Sequence, residues 1–409
     1  MSEKNNKYTP NLRFPEFTGE WEEKTLGEVS PIIFDGTHQT PHYVNSGIPF
    51  YSIENIVSDK PCKYIAQDEH MSNTKKNKTE KGDILITRIG TIGFAKIVDW
   101  DGEFSTYVSL ATIKKSSLIN TRYLLGYLQS EVYQKEMRSK SLMNAVPCKI
   151  NMEDLKSTRI AFPKEQKEQQ KIASCLSAMD DLIAAQAEKV EALKEKKTGL
   201  MQQLFPQPGE TTPRLRFPEF TGEWEVKKLG EVGDVCMCKR IMKHETNPIG
   251  AIPFYKIGTF GKEADAFISV ELYREYQQKY SYPNKGDILF SAAGTIGRCV
   301  VFDGKPAYFQ DSNIVWISND ESKVLNAFLK YVYTTIEWKI DDGGIVKRLY
   351  NDSIRKTSFL TPPSLAEQQK IASCLSALDD QIAAETEKLT ALKDYKKGLM
   401  QQLFPQPAK

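Results

Sequence analysis

The side chains that most often carry out catalysis or bind metals are few and scattered in this chain. Its four histidines lie at positions 38, 42, 70 and 244, and its seven cysteines form no pair of CxxC elements with zinc spacing. Cys236 and Cys238 could bind a metal together with His244, but two thiols so close in sequence are a weak ligand set. We expect reduced thiols, no metal site and no catalytic residue, since no nucleophile is accompanied by a base and an orienting group.

Loops that hold nucleotides or cofactors are also missing from the sequence. The stretch GTFGK at Gly258–Lys262 lacks the spacing of a phosphate loop, and GTIG, at Gly90 and again at Gly294, is typical of a turn between strands. NPIG at Asn247 is not the Asn-Pro-Pro-aromatic motif of amino methyltransferases. We therefore expect no cofactor in this chain and interpret it as a binding protein.

Several polar and basic stretches could bind DNA. Lys and Arg hold phosphates, while Arg, Gln and Asn can also read base edges in the major groove. The candidate contacts in the basic stretches are Lys75, Lys76, Lys78, Arg88, Lys239, Arg240, Lys243, Lys256, Thr259, Lys347 and Arg348. Ordinary solvated loops are the alternative interpretation, because a formal net charge of +2 neither requires nor excludes nucleic acid.

These stretches lie inside a chain that repeats one unit of about 200 residues twice. LRFPEFTGEWE at Leu12 returns unchanged at Leu215, and LMQQLFPQP occurs at Leu200 and again at Leu399. EQQKIASCLSAMDDLIAA at Glu168 returns in the second copy with two changes. The segments between these constant ends, 30–160 and 233–360, share only short phrases, and we call them the first and second variable segments. Constant ends suggest a constant partner, and variable segments suggest two different ligands.

Each variable segment predicts a mixed α/β domain. Runs rich in β-formers, such as DILITRI and AKIVDW, flank the GTIG turn, and one amphipathic helix follows, TRYLLGYLQSEVYQKEM in the first segment and SKVLNAFLKYVYTTIEW in the second. A return segment, 149–163 or 348–362, closes each domain.

A heptad pattern of apolar residues follows each variable segment. Its members predicted to pair the helices are Ile172, Leu176, Ile183 and Leu193 in the first copy and Ile371, Leu375, Ile382 and Leu392 in the second. Two helices of about 60 Å each should therefore pair as a coiled coil, since one apolar stripe needs a partner in water. An antiparallel pair is favoured over a parallel one, because the helix ends are joined through the globular domains. Packing of each helix on its own domain is the alternative. Ser364 and Glu367 predict a capping box at the start of the second helix.

The predicted fold class is α+β, with two pseudo-two-fold-related mixed α/β domains separated by the two long helices. The predicted ranges are 1–162 for the first domain, 163–205 for the first helix, 206–361 for a linker and the second domain, and 362–405 for the second helix. The polar start of the chain and the lack of an apolar run of about 18 residues predict a cytoplasmic protein without a membrane segment.

This layout resembles the specificity (S) subunit of type I restriction-modification enzymes. The resemblance rests on two divergent domains between nearly identical long helices, on EQQKIAS after a segment ending in FP or TPP, and on GDIL followed by GTIG. It implies that each variable segment is a target recognition domain that reads one half of a bipartite, asymmetric site in double-stranded DNA. The helices would space the two domains. The loop DGTHQTP is similar to one common in such domains, which implies DNA contacts for Thr37, His38, Gln39 and Thr40.

The resemblance also implies partners. Two modification subunits would dock on the helices and restriction subunits would join them, so that S-adenosylmethionine and ATP would be bound by those subunits and not by this chain. Two other functions stay open on the sequence alone. One is a coiled-coil adaptor between proteins without nucleic acid, and the other is a stand-alone DNA-modifying enzyme.

Overall fold

The computed structural model describes residues 8–58, 60–338 and 348–405. It divides into two compact units. The first combines the described residues up to Glu188 with those from Thr386 onward, and the second runs from Lys189 to Glu385. Each unit thus contains one variable segment and half of each long helix. The domain boundaries given above stay predictions, because compact packing groups the helices with the domains.

In the first unit, the described residues up to Glu188 form ten strands and seven helices. The strands are β1 Trp21–Thr25, β2 Ile33–Asp35, β3 Tyr43–Val44, β4 Ile48–Tyr51, β5 Lys63–Ile65, β6 Ile84–Thr87, β7 Ala95–Ile97, β8 Ser105–Thr106, β9 Leu110–Ile113 and β10 Arg159–Pro163. The helices are α1 Leu26–Val29, α2 Ile53–Ser58, α3 Gln67–Asn73, α4 Thr121–Gln129, α5 Glu131–Lys140, α6 Met152–Lys156 and α7 Gln166–Leu204, of which the last continues into the second unit.

A four-stranded antiparallel sheet, in the order β2-β9-β6-β7, separates two apolar cores of the first unit. Ile84 and Ile86 of β6 face the larger core, which contains the helices, and Leu85 between them faces the smaller core. This alternation follows from the two-residue period of a strand. A second sheet, β3-β5-β4-β8, covers the smaller core, and the pair β1-β10 brings the constant start next to the return segment.

The second unit repeats this plan with other side chains. Its strands are β11 Glu225–Lys228, β12 Gly233–Met237, β13 Ile252–Tyr255, β14 Phe267–Ile268, β15 Ile288–Ser291, β16 Cys299–Val301, β17 Tyr308–Phe309, β18 Ile314–Asn319 and β19 Ser358–Thr361. Its helices are α8 Leu229–Val232, α9 Val270–Lys279, α10 Asn326–Thr335, α11 Asn351–Lys356 and α12 Leu365–Leu403, of which the last continues into the first unit. The sheets are β12-β18-β15-β16, β14-β13-β17 and β11-β19.

The predicted amphipathic helix of the first variable segment is wrong in one respect, because the structure breaks it at Ser130. This residue has extended backbone angles, ends α4 and starts α5. Its hydroxyl accepts the backbone N–H of Tyr133 and donates to the carbonyl of Tyr127, so it caps both helices. In the second unit the corresponding stretch forms the single helix α10.

The GTIG stretches are turns between strands, as predicted. In the first unit the turn joins β6 to β7, and Gly90 and Gly93 have φ angles of 79° and 83°. Residues with a side chain rarely adopt such angles, so glycine is required for this tight connection.

The long helices α7 and α12 pack antiparallel within each unit. In the second unit, Lys189 pairs with Glu385 and Lys197 with Asp379, so residue numbers rise along α7 as those of their partners fall along α12. In the first unit Lys396 pairs with Asp180. Further along, Met400 and Leu403 of α12 and Phe404 directly after it share a core with Ile172 and Leu176 of α7.

The predicted pairing residues divide into two groups by burial. Ile172, Leu176, Ile371 and Leu375 are buried, and each lies in the core that its helix shares with a domain. Ile183, Leu193, Ile382 and Leu392 are half-buried. The two interpretations of the apolar stripe therefore both apply, since the first turns of each helix pack on a domain as well as on the other helix.

The constant segments hold the start of each long helix onto the unit in which that helix begins. The guanidinium of Arg13 binds both carboxylate oxygens of Glu168, at 2.7 and 2.8 Å, and Arg216 binds those of Glu367, both at 2.8 Å. The capping box predicted for the second helix is therefore only half present: Ser364 accepts the N–H of Glu367 at 3.4 Å, but the carboxylate of Glu367 binds Arg216.

The helix ends, which carry LMQQLFPQP, are anchored in the same way in both units. The ring of Phe404 packs edge-on against Tyr123 and Tyr127 of α4, with centroids 5.7 and 5.3 Å apart. In the second unit Phe205 stacks on Phe328 of α10 at 5.4 Å. The repeated motif thus supplies each unit with an aromatic anchor. Within the described residues, no helix is long and apolar enough to cross a membrane.

Candidate nucleic-acid interface

The polar loop after β2 is held by a close approach between two backbones. A side chain on Gly36 would place its Cβ 1.9 Å from the carbonyl oxygen of Thr106, so only glycine fits there. The N–H of Thr37 donates to that carbonyl at 2.9 Å, and the carbonyl of Thr37 accepts the N–H of Val108 at 3.0 Å. Thr37 is half-buried as a result, whereas the next three residues, His38, Gln39 and Thr40, are exposed.

A buried arginine supports this loop from behind. Nη1 of Arg88 lies 2.6 Å from Oδ2 of Asp35 and also donates to the carbonyl of Val108 at 3.2 Å. The same carboxylate oxygen contacts Nε2 of His38 at 3.1 Å. Asp35 therefore links the buried guanidinium to the exposed imidazole.

Arg88, which was predicted to contact DNA, is buried behind the polar loop. Its side chain is 9% exposed, and its Nε and Nη1 are engaged by the carboxylate of Asp35 and by two backbone carbonyls. DNA contact by Arg88 stays a prediction, and in this structure the residue positions the loop that carries His38, Gln39 and Thr40.

The lysine cluster of the first unit follows α3 directly. The N–H of His42 donates to Oε1 of Glu69 at 3.2 Å, which ties the polar loop to this helix. Lys75 and Lys76 are exposed and pair with no other described residue, while Lys78 binds the carboxylate of Glu103. That hydrogen bond lowers the pKa of Glu103. Lys75 and Lys76 are thus available for phosphates.

The second unit brings four of its predicted contacts to one concavity of about 570 Å³. Arg240, Lys243, Lys256 and Arg348 line it, together with the turn 310–313 that follows β17. These residues come from three distant parts of the chain, and the sheets position them: β12 leads to the first two, β13 leads to Lys256, and Arg348 bridges to Ala293 beside the GTIG turn.

Two of these cations are paired with carboxylates. Nε of Arg240 lies 2.9 Å from Asp311, and Nζ of Lys256 lies 2.7 Å from Asp265. Both pairs lie near the surface, where an ion pair contributes little and exchanges readily for another anion. Nη2 of Arg348 instead donates to neutral groups of Ser312 and of Asn313.

The other predicted contacts of the second unit are placed differently. Lys239 lies with its ammonium 5.1 Å from the ring centre of Tyr280. Thr259 uses its hydroxyl within its own turn, where it accepts the N–H of Lys256 at 3.1 Å. Lys347 lies outside the described residues.

No sequence pattern singled out the residues that hold Arg88 and Arg348 in place. They are Asp35 in the first unit and Ser312 and Asn313 in the second, and Gln310 fixes the turn that carries the last two. The sequence could have indicated Asp35, because it directly precedes the glycine of the polar loop. The turn QDSN could not have been found in this way, since its partner Arg348 follows 35 or more residues later in the chain.

The described residues contain no cluster of three or more His, Cys, Asp or Glu groups that could hold a metal ion. Cys238, one of the two thiols considered above, is buried, and burial raises its pKa to about 12. A thiol that stays protonated is a poor metal ligand and a poor nucleophile.

Comparisons with known proteins agree with the repeated plan. The family model of the type I restriction modification DNA specificity domain matches the chain twice, over residues 18–195 and 221–394. A putative type I restriction enzyme specificity subunit of Haemophilus influenzae is 36% identical over 375 residues, which cover 90% of each chain. The putative MjaX specificity subunit of Methanocaldococcus jannaschii is 26% identical over 427 residues, covering 98% of this chain and 96% of that protein.

Solved structures show the same fold. The crystal structure of the type I restriction-modification S subunit from M. genitalium matches with a TM-score of 0.60 at 17% identity, covering 98% of this chain and 100% of the other. A chain from work on complex assembly and conformational transition of the type I R-M system matches with a TM-score of 0.55 at 16% identity, covering 96% and 99%. The chain belongs to the family of type I restriction-modification DNA specificity proteins.

Proposed function

We propose that this chain is the DNA-reading, non-catalytic subunit of a type I restriction-modification complex. Each variable segment would read one half of a bipartite, asymmetric site in double-stranded DNA. One observation carries the proposal: one repeated frame carries two different surfaces, one polar and one basic. The first surface presents His38, Gln39 and Thr40 on a braced loop, and the second gathers Arg240, Lys243, Lys256 and Arg348 in a concavity.

The repeated frame supports different roles for the constant and variable parts, with partners docking on the constant parts. The ion pairs Arg13–Glu168 and Arg216–Glu367 fix the same constant segments to the same helix starts in both units. A partner that docks on these constant parts would meet the same side chains twice. We therefore infer two modification subunits as partners, with restriction subunits joining them.

The chemistry of methylation and cleavage would come from those partners. We infer that S-adenosylmethionine and ATP are bound there, and that this chain contributes recognition and spacing of the two half-sites. Exposed Lys75 and Lys76 would neutralise phosphates, which gives affinity that falls as salt rises. Gln39 and Thr40 would supply hydrogen bonds to base edges.

An exchange of the first variable segment tests this proposal. Residues 30–160 would be replaced by the corresponding segment of another family member, and the chain would be expressed with its modification subunits. Sequencing of methylated DNA should show a change in one half of the motif only. The reciprocal exchange of residues 233–360 is the control and should change only the other half. A change in both halves in either chimera would contradict the proposal.

The two other functions considered from the sequence are not favoured by the family match. A protein adaptor would need no DNA, so a salt-dependent mobility shift of a DNA duplex with the assembled complex separates it from the proposed function. A stand-alone enzyme would methylate DNA without a modification subunit, and the purified chain alone tests this.

A further inference from the structure

The guanidinium of Arg348 lies in the concavity of the second unit, and three hydrogen bonds fix one of its nitrogens. Nη2 donates to the carbonyl of Ser312 at 3.2 Å, to the hydroxyl of Ser312 at 2.8 Å and to Oδ1 of Asn313 at 2.7 Å. All three acceptors are neutral, and within the described part of the chain no carboxylate pairs with this group. Among the described residues, the guanidinium is therefore held in place without a carboxylate partner.

The turn that holds Arg348 is itself fixed and strained. Ser312 has a φ angle of 52°, which is uncommon for a residue other than glycine and persists only where the surroundings impose it. The N–H of Gln310 donates to the carbonyl of Tyr255, and its side-chain oxygen accepts the N–H of Ile257 at 2.8 Å. The acceptors of Arg348 are thus tied to β13 and cannot follow a mobile side chain.

The corresponding turn of the first unit offers no such group. Arg88 lies against it and donates to the carbonyl of Val108, but its charge is neutralised by Asp35 and its side chain is buried. Two arginines from different places in the sequence therefore contact equivalent turns. The arginine of the first unit is paired with a carboxylate, and the arginine of the second unit has no such partner among the described residues.

We propose that Arg348 is a specificity-determining residue of the second unit and reads a guanine of the second half-site. This inference rests on the proposed function. Guanine presents two acceptors, N7 and O6, in the major groove, and arginine is its commonest partner. Within the described residues, Nη1 and Nε of Arg348 make no hydrogen bond. Their N–H groups lie on different edges of the guanidinium, so Nη1 can donate to one of these acceptors while Nη2 stays bound to the turn. A fixed guanidinium suits base readout, because discrimination between bases requires a defined position.

The lysines of the same concavity suit a different role. Lys243 and Lys256 carry compact charges on flexible stems, which hold phosphates without requiring one geometry. Asn313 is a positioning residue, since it acts on the base through Arg348. Arg348 therefore selects a base, and the neighbouring lysines contribute affinity.

The test uses the chain assembled with its modification subunits and a library of DNA duplexes in which the second half-site is randomised. Arg348→Ala, Arg348→Lys and Asn313→Ala are compared with the wild type by sequencing the methylated products. The matched control is Arg274→Ala, which removes an exposed arginine of α9 in the same unit. A salt series of binding to the wild-type motif accompanies each variant.

If Arg348 reads a guanine, both substitutions of Arg348 should reduce the preference for G·C at one position of the second half-site by about 5- to 150-fold. The sequence preference at the first half-site should not change. Asn313→Ala should relax the same position more weakly, and Arg274→Ala should leave the motif unchanged. Arg348→Lys keeps the positive charge, so it remains informative if Arg348→Ala fails to assemble.

Two outcomes would overturn the inference. One is an unchanged motif in Arg348→Lys. The other is a motif that keeps its discrimination in Arg348→Ala while binding weakens uniformly and its salt dependence falls, which identifies a phosphate contact. Either result leaves the proposed function standing. That function fails only if the wild-type complex directs methylation to no bipartite motif.

Discussion

Arg13 and Glu168 are 155 residues apart in sequence, yet the guanidinium of one binds both carboxylate oxygens of the other in an almost fully buried ion pair. Nε1 of Trp21 adds a third hydrogen bond to the same carboxylate at 3.2 Å. The constant start of the chain is thereby fixed to the first turn of α7, and Arg216 and Glu367 do the same for α12.

Removing this arginine should destabilise the first unit strongly. Arg13→Ala leaves the carboxylate of Glu168 buried without its counterion, which typically costs about 3–5 kcal/mol. Thermal and urea unfolding of the purified chain would measure the loss. The control is Arg159→Ala, which breaks an exposed pair with Glu23 and should change the free energy of unfolding by less than about 1 kcal/mol. Equal stability of the two variants would show that the buried pair is not a main support.

A charge on the apolar stripe should separate the helices from their core. Leu176→Asp places a carboxylate among Ile172, Leu403 and Phe404, and burial of an unpaired charge costs several kcal/mol. Leu375→Asp is the equivalent change in the second unit. The control is Leu182→Asp on the same helix, because Leu182 is 55% exposed. Circular dichroism on heating should show a lower melting temperature for the first two variants only. A melting temperature of Leu176→Asp equal to that of the control would contradict the assigned packing.

The pair Arg88–Asp35 should show energetic coupling. A double-mutant cycle of Arg88→Ala and Asp35→Ala should give an interaction energy of about 0.5–3 kcal/mol, because each single change leaves the other group without its partner. Both changes should also weaken binding of the assembled complex to its DNA by releasing the polar loop. Arg138→Ala, which removes an exposed arginine of α5, is the control and should do neither. Additive effects on stability would refute a positioning role for Arg88.

Asp379 should make part of the stability dependent on pH. Burial alone would raise its pKa, but hydrogen bonds from Lys197, Lys330 and Tyr331 outweigh burial and hold the pKa below the ordinary value of 3.8. A lowered carboxylate pKa contributes stability above about pH 4 that is lost as the pH falls through the folded value. Asp379→Asn should lower the melting temperature at pH 7, and the difference from the wild type should shrink below pH 4.

Its counterpart in the repeat is the control for this experiment. Asp180 is 56% exposed and pairs with Lys396, so Asp180→Asn should have a smaller effect at pH 7. A difference between wild type and Asp379→Asn that stays constant from pH 7 to pH 3 would argue against an ionised, stabilising Asp379.

Patterns with a short sequence period were predictable, and contacts between distant residues were not. The heptad stripe predicted that the long helices pair, and GTIG predicted turns, because both depend on local periodicity or backbone angles. The break at Ser130 was missed, since a serine inside an apolar pattern does not show whether it caps a helix or faces solvent. Ser364 and Glu367 predicted a capping box, but the carboxylate of Glu367 binds the half-buried guanidinium of Arg216, which lies 151 residues away.

The DNA-contact candidates show the same limit. Composition identified the basic stretches, but it could not distinguish Arg88 from Arg348. The guanidinium of Arg88 is paired with Asp35, whereas that of Arg348 lines a concavity. Side chains of the same type take different roles according to the carboxylates that the fold brings near them. No pattern in one sequence reports that proximity.

The first unit takes part of its core from the far end of the chain, where Met400, Leu403 and Phe404 pack against residues of α4 and α7. Domains usually fold in the order in which they leave the ribosome. The first unit cannot do so, because Tyr123 and its neighbours pack on a helix end that is synthesised much later. The second unit is continuous from Lys189 to Glu385, so it can complete its core first although its variable segment is translated later.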